Sequence, residues 1–250
     1  MKSFEFCVTT DVLFGVGQEA ALPAKLRPYG KKILLTYGGG SIKKSGLYDK
    51  LKTLLKDFEI FELGGVEPNP RVETVNAGVA ICKKEGIDMI LAVGGGSTID
   101  CSKAIAAATY YEGDAWDMVL HMDRITKALP IAVVLTIAAT GSETDAVAVI
   151  SKPETNEKLP FFSPLVLPKV AVLNPENTYT DYDRKLQPKM DFESGHLKEF
   201  YLNHREKLIE TAIKECEEYL DADDWMEEEK KEETKETEET EKETPASEEE

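Results

Sequence analysis

The first 180 residues alternate between short continuous apolar runs and longer stretches whose apolar residues recur at three- and four-residue intervals. KKILLTY (31–37) is followed by a glycine turn and then by Ile42, Leu47, Leu51, Leu54 and Leu55 at helical spacing, which predicts a strand and a helix over 41–58. EIFELGG (59–65) reads as a second strand and 72–85 as a helix. DMILAVGGG (88–96) reads as a strand buried on both faces, leading into a helix over 98–109. PIAVVL (130–135) is a further strand, and 146–150 and 170–173 add short ones. Apolar strands alternating with helices predict an α/β domain over 1–180, built on a mostly parallel sheet covered on both faces.

The pattern changes near residue 180. DYDRKLQPKMDFESGH has neither period, so 181–220 reads as a divergent segment, and within it 197–220 forms one amphipathic helix with Leu197, Phe200, Leu208, Ile209 and Ile213 on or near one face. Such a face needs a surface to lie on, either a second copy of the chain or another docking partner. From 221 to 250 almost no apolar residues remain, which predicts a disordered acidic tail.

Charge follows the same division. Residues 221–250 hold 16 acids and 4 bases, a net −12 of the chain's −17, which leaves −5 for the first 220. With no basic patch, nucleic-acid binding through phosphate neutralisation is not expected. No apolar run reaches the roughly 18–20 residues that span a bilayer, so no membrane partner is expected either. Cys7, Cys82, Cys101 and Cys216 form no metal-binding spacing and fit a reducing cytoplasm.

LAVGGGSTIDCSKAIA (91–106) carries the candidate chemistry. A buried strand ending in three glycines and entering a helix aims backbone N–H groups and a helix dipole at one point, where a phosphate binds; a tight turn without ligand is the alternative. A second turn, YGGGS (37–41), closes an earlier strand and precedes Lys43 and Lys44. An acid there would favour the 2′-hydroxyl of NAD, whereas glycines, a serine and lysine charge favour NADP; solvated helix lysines are the plainer reading. TIAATGSETDAVAVI (136–150) offers small hydroxylated residues after a strand, and by itself TGSE reads best as a helix N-cap.

FGVG (14–17), YGGGSIKKSG (37–46), GGGSTIDCSKAIA (94–106), TIAATGSETD (136–145) and EKLPFFSPLVLPKVAVLNPENTYT (157–180), in that order, resemble the iron-containing alcohol dehydrogenases, most of all the NADPH-dependent butanol dehydrogenases among them. The resemblance implies a Rossmann-like, dehydroquinate synthase-like parallel-sheet domain that binds NAD(P), joined to a helical domain holding iron or zinc. Hydride would move between the nicotinamide and a small alcohol or aldehyde. By the same resemblance Gly95, Gly96 and Ser97 hold the pyrophosphate, and Asp100 lies near the nicotinamide end. Gly39, Gly40 and Ser41 hold the adenosine ribose and its 2′-phosphate. Thr136, Thr140 and Ser142 line the diphosphate and nicotinamide ribose, and Lys158 reaches the cofactor. NADP(H) is the expected dinucleotide, with NAD(H) as the alternative.

The family's metal ligands are an aspartate, a histidine four residues later and two further histidines. Here the histidines are His121, His196 and His204, and neither of the last two has an aspartate four residues before it; Asp191 precedes His196 by five. No metal site and no catalytic residue is therefore expected, and turnover should be weak or absent. The competing expectations are a dinucleotide-binding module without catalysis and one half of an enzyme completed by a partner chain.

Overall fold

The computed structural model describes residues 9–178. The helix expected over 197–220, the rest of the divergent segment and the acidic tail lie outside the described residues, as do His196 and His204. The strands in chain order are β1 (Asp11–Phe14), β2 (Lys32–Tyr37), β3 (Glu59–Leu63), β4 (Met89–Gly94), β5 (Ile131–Leu135), β6 (Val147–Lys152), β7 (Glu157–Phe162) and β8 (Val170–Leu173). The helices are α1 (Leu22–Leu26), α2 (Ser41–Lys44), α3 (Leu47–Leu54), α4 (Val72–Glu85), α5 (Gly96–Ala108) and α6 (Ala115–Leu120).

Six strands form one sheet in the order β1-β8-β5-β4-β2-β3, with every neighbouring pair parallel. Strand side chains alternate between faces. Ile33, Leu35, Leu91 and Val134 pack with Leu22, Leu26, Leu47 and Leu51 of α1 and α3. Leu34, Ile90, Ala92 and Val133 pack with α4, α5 and α6 on the opposite face. This two-sided burial explains why the central strands read as continuous apolar runs. The result is the expected Rossmann-like α/β domain.

Strand β2 lies between β3 and β4, so the chain leaves β2 toward one edge of the sheet and leaves β4 toward the other. Where such connections diverge, a crevice opens at the carboxyl ends of the two strands. Both glycine turns stand at that point.

Several elements differ from the sequence expectation. The helix expected over 41–58 is two short helices, α2 and α3, because Gly46 takes φ 80° and interrupts the first. The stretch 146–150 does not join the parallel sheet. As β6 it forms a separate antiparallel ribbon with β7, a strand without an apolar period and with Pro160 inside it. The edge strand β1 and helix α6 carry too little local pattern to be found. The carboxylate of Asp114 caps α6, accepting from the amides of Trp116 and Asp117.

A polar pin closes the domain after β8. Glu19, fully buried, accepts hydrogen bonds from Asn174 Nδ2 at 2.9 Å, Asn177 Nδ2 at 2.7 Å and Lys50 Nζ at 3.0 Å. Burial pushes its carboxyl upward, but the hydrogen bonds from Asn174, its own amide, Asn177 and Lys50 outweigh that and hold it below the usual glutamate range.

Candidate functional site

The register that sets Tyr37 opposite Val93 brings the turn after β2 beside the turn after β4. A Cβ on Gly38 would lie 3.4 Å from the Val66 carbonyl and 4.0 Å from Thr98 Oγ1, so the first turn touches the start of α5. Gly95 is the N-cap of α5 and no side chain caps it. The first amides of a helix lack intrahelical partners and carry partial positive charge, so the turn offers donors to an anion.

The glycines here are fixed by close approach. A Cβ on Gly94 would stand 2.5 Å from Thr98 Oγ1, one on Gly95 3.2 Å from Ile137 Cβ, and one on Gly96 2.6 Å from Thr140 Oγ1. Segment 136–140 therefore lies against the glycine turn, and Thr136 donates its amide to the Gly94 carbonyl at 3.0 Å. Of the expected residues, Thr140 is brought directly against Gly96.

Ser97 Oγ accepts from the amide of Asn69 at 3.3 Å, and Asn69 Oδ1 accepts from Lys158 Nζ at 2.7 Å. The loop carrying Asn69 is joined to the β6–β7 ribbon, since Ser151 donates its amide to the Pro70 carbonyl at 2.9 Å. Asn69, Ser97 and Lys158 thus meet although they come from three separate elements. Sequence reasoning missed Asn69. The available signal was the turn EPNPR (67–71): Asn69 sits at φ 56°, a left-handed conformation that asparagine tolerates.

Asp100 and Ser142 also meet, with Asp100 Oδ1 accepting from Ser142 Oγ at 2.9 Å and Oδ2 from the Val149 amide at 3.0 Å. Burial raises the Asp100 carboxyl above its ordinary range against the pull of these two hydrogen bonds and of Lys103. The TGSE stretch does not cap a helix. It is a turn leading to β6, because Gly141 takes φ 74° and Ser142 is drawn to Asp100.

At the other turn Gly40 takes φ 102°, and a Cβ on Gly39 would meet nothing within 4 Å. The space over Gly39 and Ser41 is open. Lys43 Nζ lies 4.9 Å from the ring centroids of both Tyr37 and Tyr48. Glu62, at the end of β3, accepts from Tyr37 OH at 3.0 Å and Tyr48 OH at 2.6 Å, and pairs with Lys52 at 3.5 Å. The Glu62 carboxylate is thereby already engaged, and the Tyr48 hydroxyl is pushed up to about 12 by its bond to Glu62.

The family model for iron-containing alcohol dehydrogenase matches residues 9–175. The chain belongs to that family. It is 51% identical over 207 residues to a probable NADH-dependent butanol dehydrogenase 1 of Bacillus subtilis, covering 82% of this chain and 53% of the relative. It is 43% identical over 183 residues to the NADPH-dependent aldehyde reductase YqhD of Escherichia coli, covering 72% and 47%. The crystal structure of NADH-dependent butanol dehydrogenase A from Thermotoga maritima superimposes with a TM-score of 0.70 at 42% identity, over 72% of this chain and 46% of that one. The chain spans about half the length of the relatives it matches. The Bacillus alignment of 207 residues cannot fit within the first 180, so similarity continues past the last motif. The butanol dehydrogenases named here use NADH and the aldehyde reductase NADPH, so the nucleotide preference does not follow from the family.

An apolar cleft of about 240 Å³ opens at the carboxyl ends of β1, β5 and β8, lined by Phe14, Leu135, Ala138, Leu173, Asn174, Pro175 and Thr178. Ala138 borders it while the adjacent Ile137 approaches Gly95, so cleft and glycine turn share a wall.

Among the described residues no group of three or more His, Cys, Asp or Glu side chains is placed to hold a metal. The family's metal therefore does not fit the described donor set. His121 Nδ1 faces Asp117 at 3.1 Å. Burial pushes the Cys82 thiol to about 11 and the Cys101 thiol to about 12, which leaves both protonated and inert at neutral pH. No described helix is long and apolar enough to cross a membrane.

Proposed function

We propose that this chain binds a nicotinamide dinucleotide across the β2–β4 crevice, with NADP(H) preferred and NAD(H) the alternative. The observation that carries the reading is the Gly95–Gly96 turn at the N-terminus of a 13-residue helix, a cradle that any Cβ would fill and that Thr140 covers. Gly95, Gly96 and Ser97 would hold the diphosphate, with Thr136, Thr140 and Ser142 beside it and Lys158 approaching through Asn69. Gly39, Gly40 and Ser41 would take the adenosine ribose, and the apolar cleft one flat ring. Support for the 2′-phosphate is the open turn with Lys43 beside it and Glu62 engaged elsewhere.

When bound, the nicotinamide supplies the hydride exchanged with a small alcohol or aldehyde. The chain's own part is to bind and orient the dinucleotide. His196 and His204 have no aspartate four residues before them, and on that ground turnover by this chain alone is expected to be weak or absent. A second reading is one half of an enzyme completed by another chain. It is favoured by the exposure of Phe14, Val16 and Ile137 at the carboxyl edge of the sheet. The buried, protonated thiols fit a cytoplasmic protein.

Titration of the purified chain with NADPH, followed by cofactor fluorescence with NADH in parallel, tests this. Saturable binding, tighter for NADPH, is expected. Binding of neither dinucleotide overturns the reading, and tighter NADH binding overturns the preference.

A further inference from the structure

Lys103 is the only fully buried lysine or arginine among the described residues. A buried ammonium is costly unless its hydrogen bonds are met, so its partners identify what it does. Its Nζ donates to Asp145 Oδ1 at 2.6 Å and to the Val147 carbonyl at 2.8 Å. Asp145 Oδ1 in turn accepts from the Val147 amide at 2.9 Å. One helical turn earlier, Asp100 takes Ser142 Oγ and the Val149 amide. Two side chains of α5, at i and i+3, therefore tie down positions 142, 145, 147 and 149. Between Leu135 and Val147 the chain has no regular structure of its own. It is the same α5 that begins at Gly96, against which Thr140 packs.

We propose that Lys103, together with Asp100, is a buried clamp that positions segment 140–149 over the glycine turn, so that dinucleotide affinity depends on a lysine that is itself sealed from the ligand. The link to affinity rests on the dinucleotide reading; the clamp does not. Lys103 is a positioning residue. It acts through Asp145 and the Val147 backbone, and its length lets a charge seated on the helix reach the ribbon end of the segment.

Amide hydrogen exchange on the full-length chain, read by mass spectrometry and paired with NADPH titration, separates the two parts. Lys103→Met keeps the aliphatic bulk and removes both hydrogen bonds. Asp145→Ala removes the partly exposed partner without disturbing the core, and Asp145→Asn keeps an acceptor at the same place. In Lys103→Met and Asp145→Ala, exchange over 142–149 should rise about tenfold or more with β4 and β5 still protected, and NADPH affinity should fall about tenfold. Asp145→Asn should restore most of the protection and affinity lost in Asp145→Ala. Unchanged exchange over 142–149 in both variants overturns the clamp whether or not a dinucleotide binds. Loss of protection throughout β4 and β5 overturns it in favour of a general core role. Faster local exchange with unaltered NADPH affinity overturns the link to binding. Failure of the unaltered chain to bind either NADPH or NADH overturns the dinucleotide reading and the link, while exchange still decides the clamp.

Discussion

Lys158 donates a 2.7 Å hydrogen bond to Oδ1 of Asn69, a residue 89 positions earlier, and the Asn69 amide reaches Ser97 Oγ. The lysine is thus anchored at the first turn of α5 from a strand outside the main sheet. Asn69→Ala removes the anchor and also the residue most tolerant of φ 56° apart from glycine. It should weaken NADPH and NADH binding alike, by about tenfold, because the diphosphate is common to both. Fluorescence titration checks this; a loss confined to one dinucleotide would place Asn69 at the ribose instead.

Gly96→Val places a Cβ 2.6 Å from Thr140 Oγ1 and 2.9 Å from its Cγ2. The segment over the turn must shift, at a cost of about 1–3 kcal/mol. Dinucleotide binding should be lost while the far-ultraviolet circular dichroism stays that of the folded domain. Unchanged affinity would mean that the phosphate is held elsewhere.

Glu19→Gln tests the pin after β8. The folded state holds this carboxyl below its ordinary value, so its stabilisation is present above the unfolded pKa of about 4.3 and is lost as pH falls through the lower folded value. The substitution should destabilise the chain by about 2–3 kcal/mol at pH 7 and flatten the fall in melting temperature below pH 4.3 or so. Thermal melts from pH 7 to pH 3 read both effects. An unaltered acid limb would show that Glu19 does not drive it.

Iron(II) or zinc added to the metal-free chain should leave the melting transition unmoved. Neither His196 nor His204 has an aspartate four residues before it, and the Asp117–His121 pair gathers no third donor among the described residues. A metal that binds only the folded chain raises its stability by mass action, so a clear upward shift would reopen the reading of His196 and His204.

By itself the sequence determined the parts whose physics is local. The apolar runs within 31–37 and 88–96 had to be strands, the second buried on both faces, and the periodic stretch at 72–85 had to be α4, because burial imposes its period on neighbouring positions. The glycine turns were legible for the same reason, since a missing Cβ marks a conformation or a close approach at that residue. Tertiary structure alone decided which strands adjoin, that β6 leaves the sheet to pair with β7, that Asp100 is occupied by Ser142 and the Val149 amide, and that Lys103 is buried against Asp145. The hydrogen bonds of Asp100 and Lys103 join residues 42 to 49 positions apart. No local period records a hydrogen-bond partner at that distance, and only the packing of α5 between the sheet and the ribbon brings the partners together.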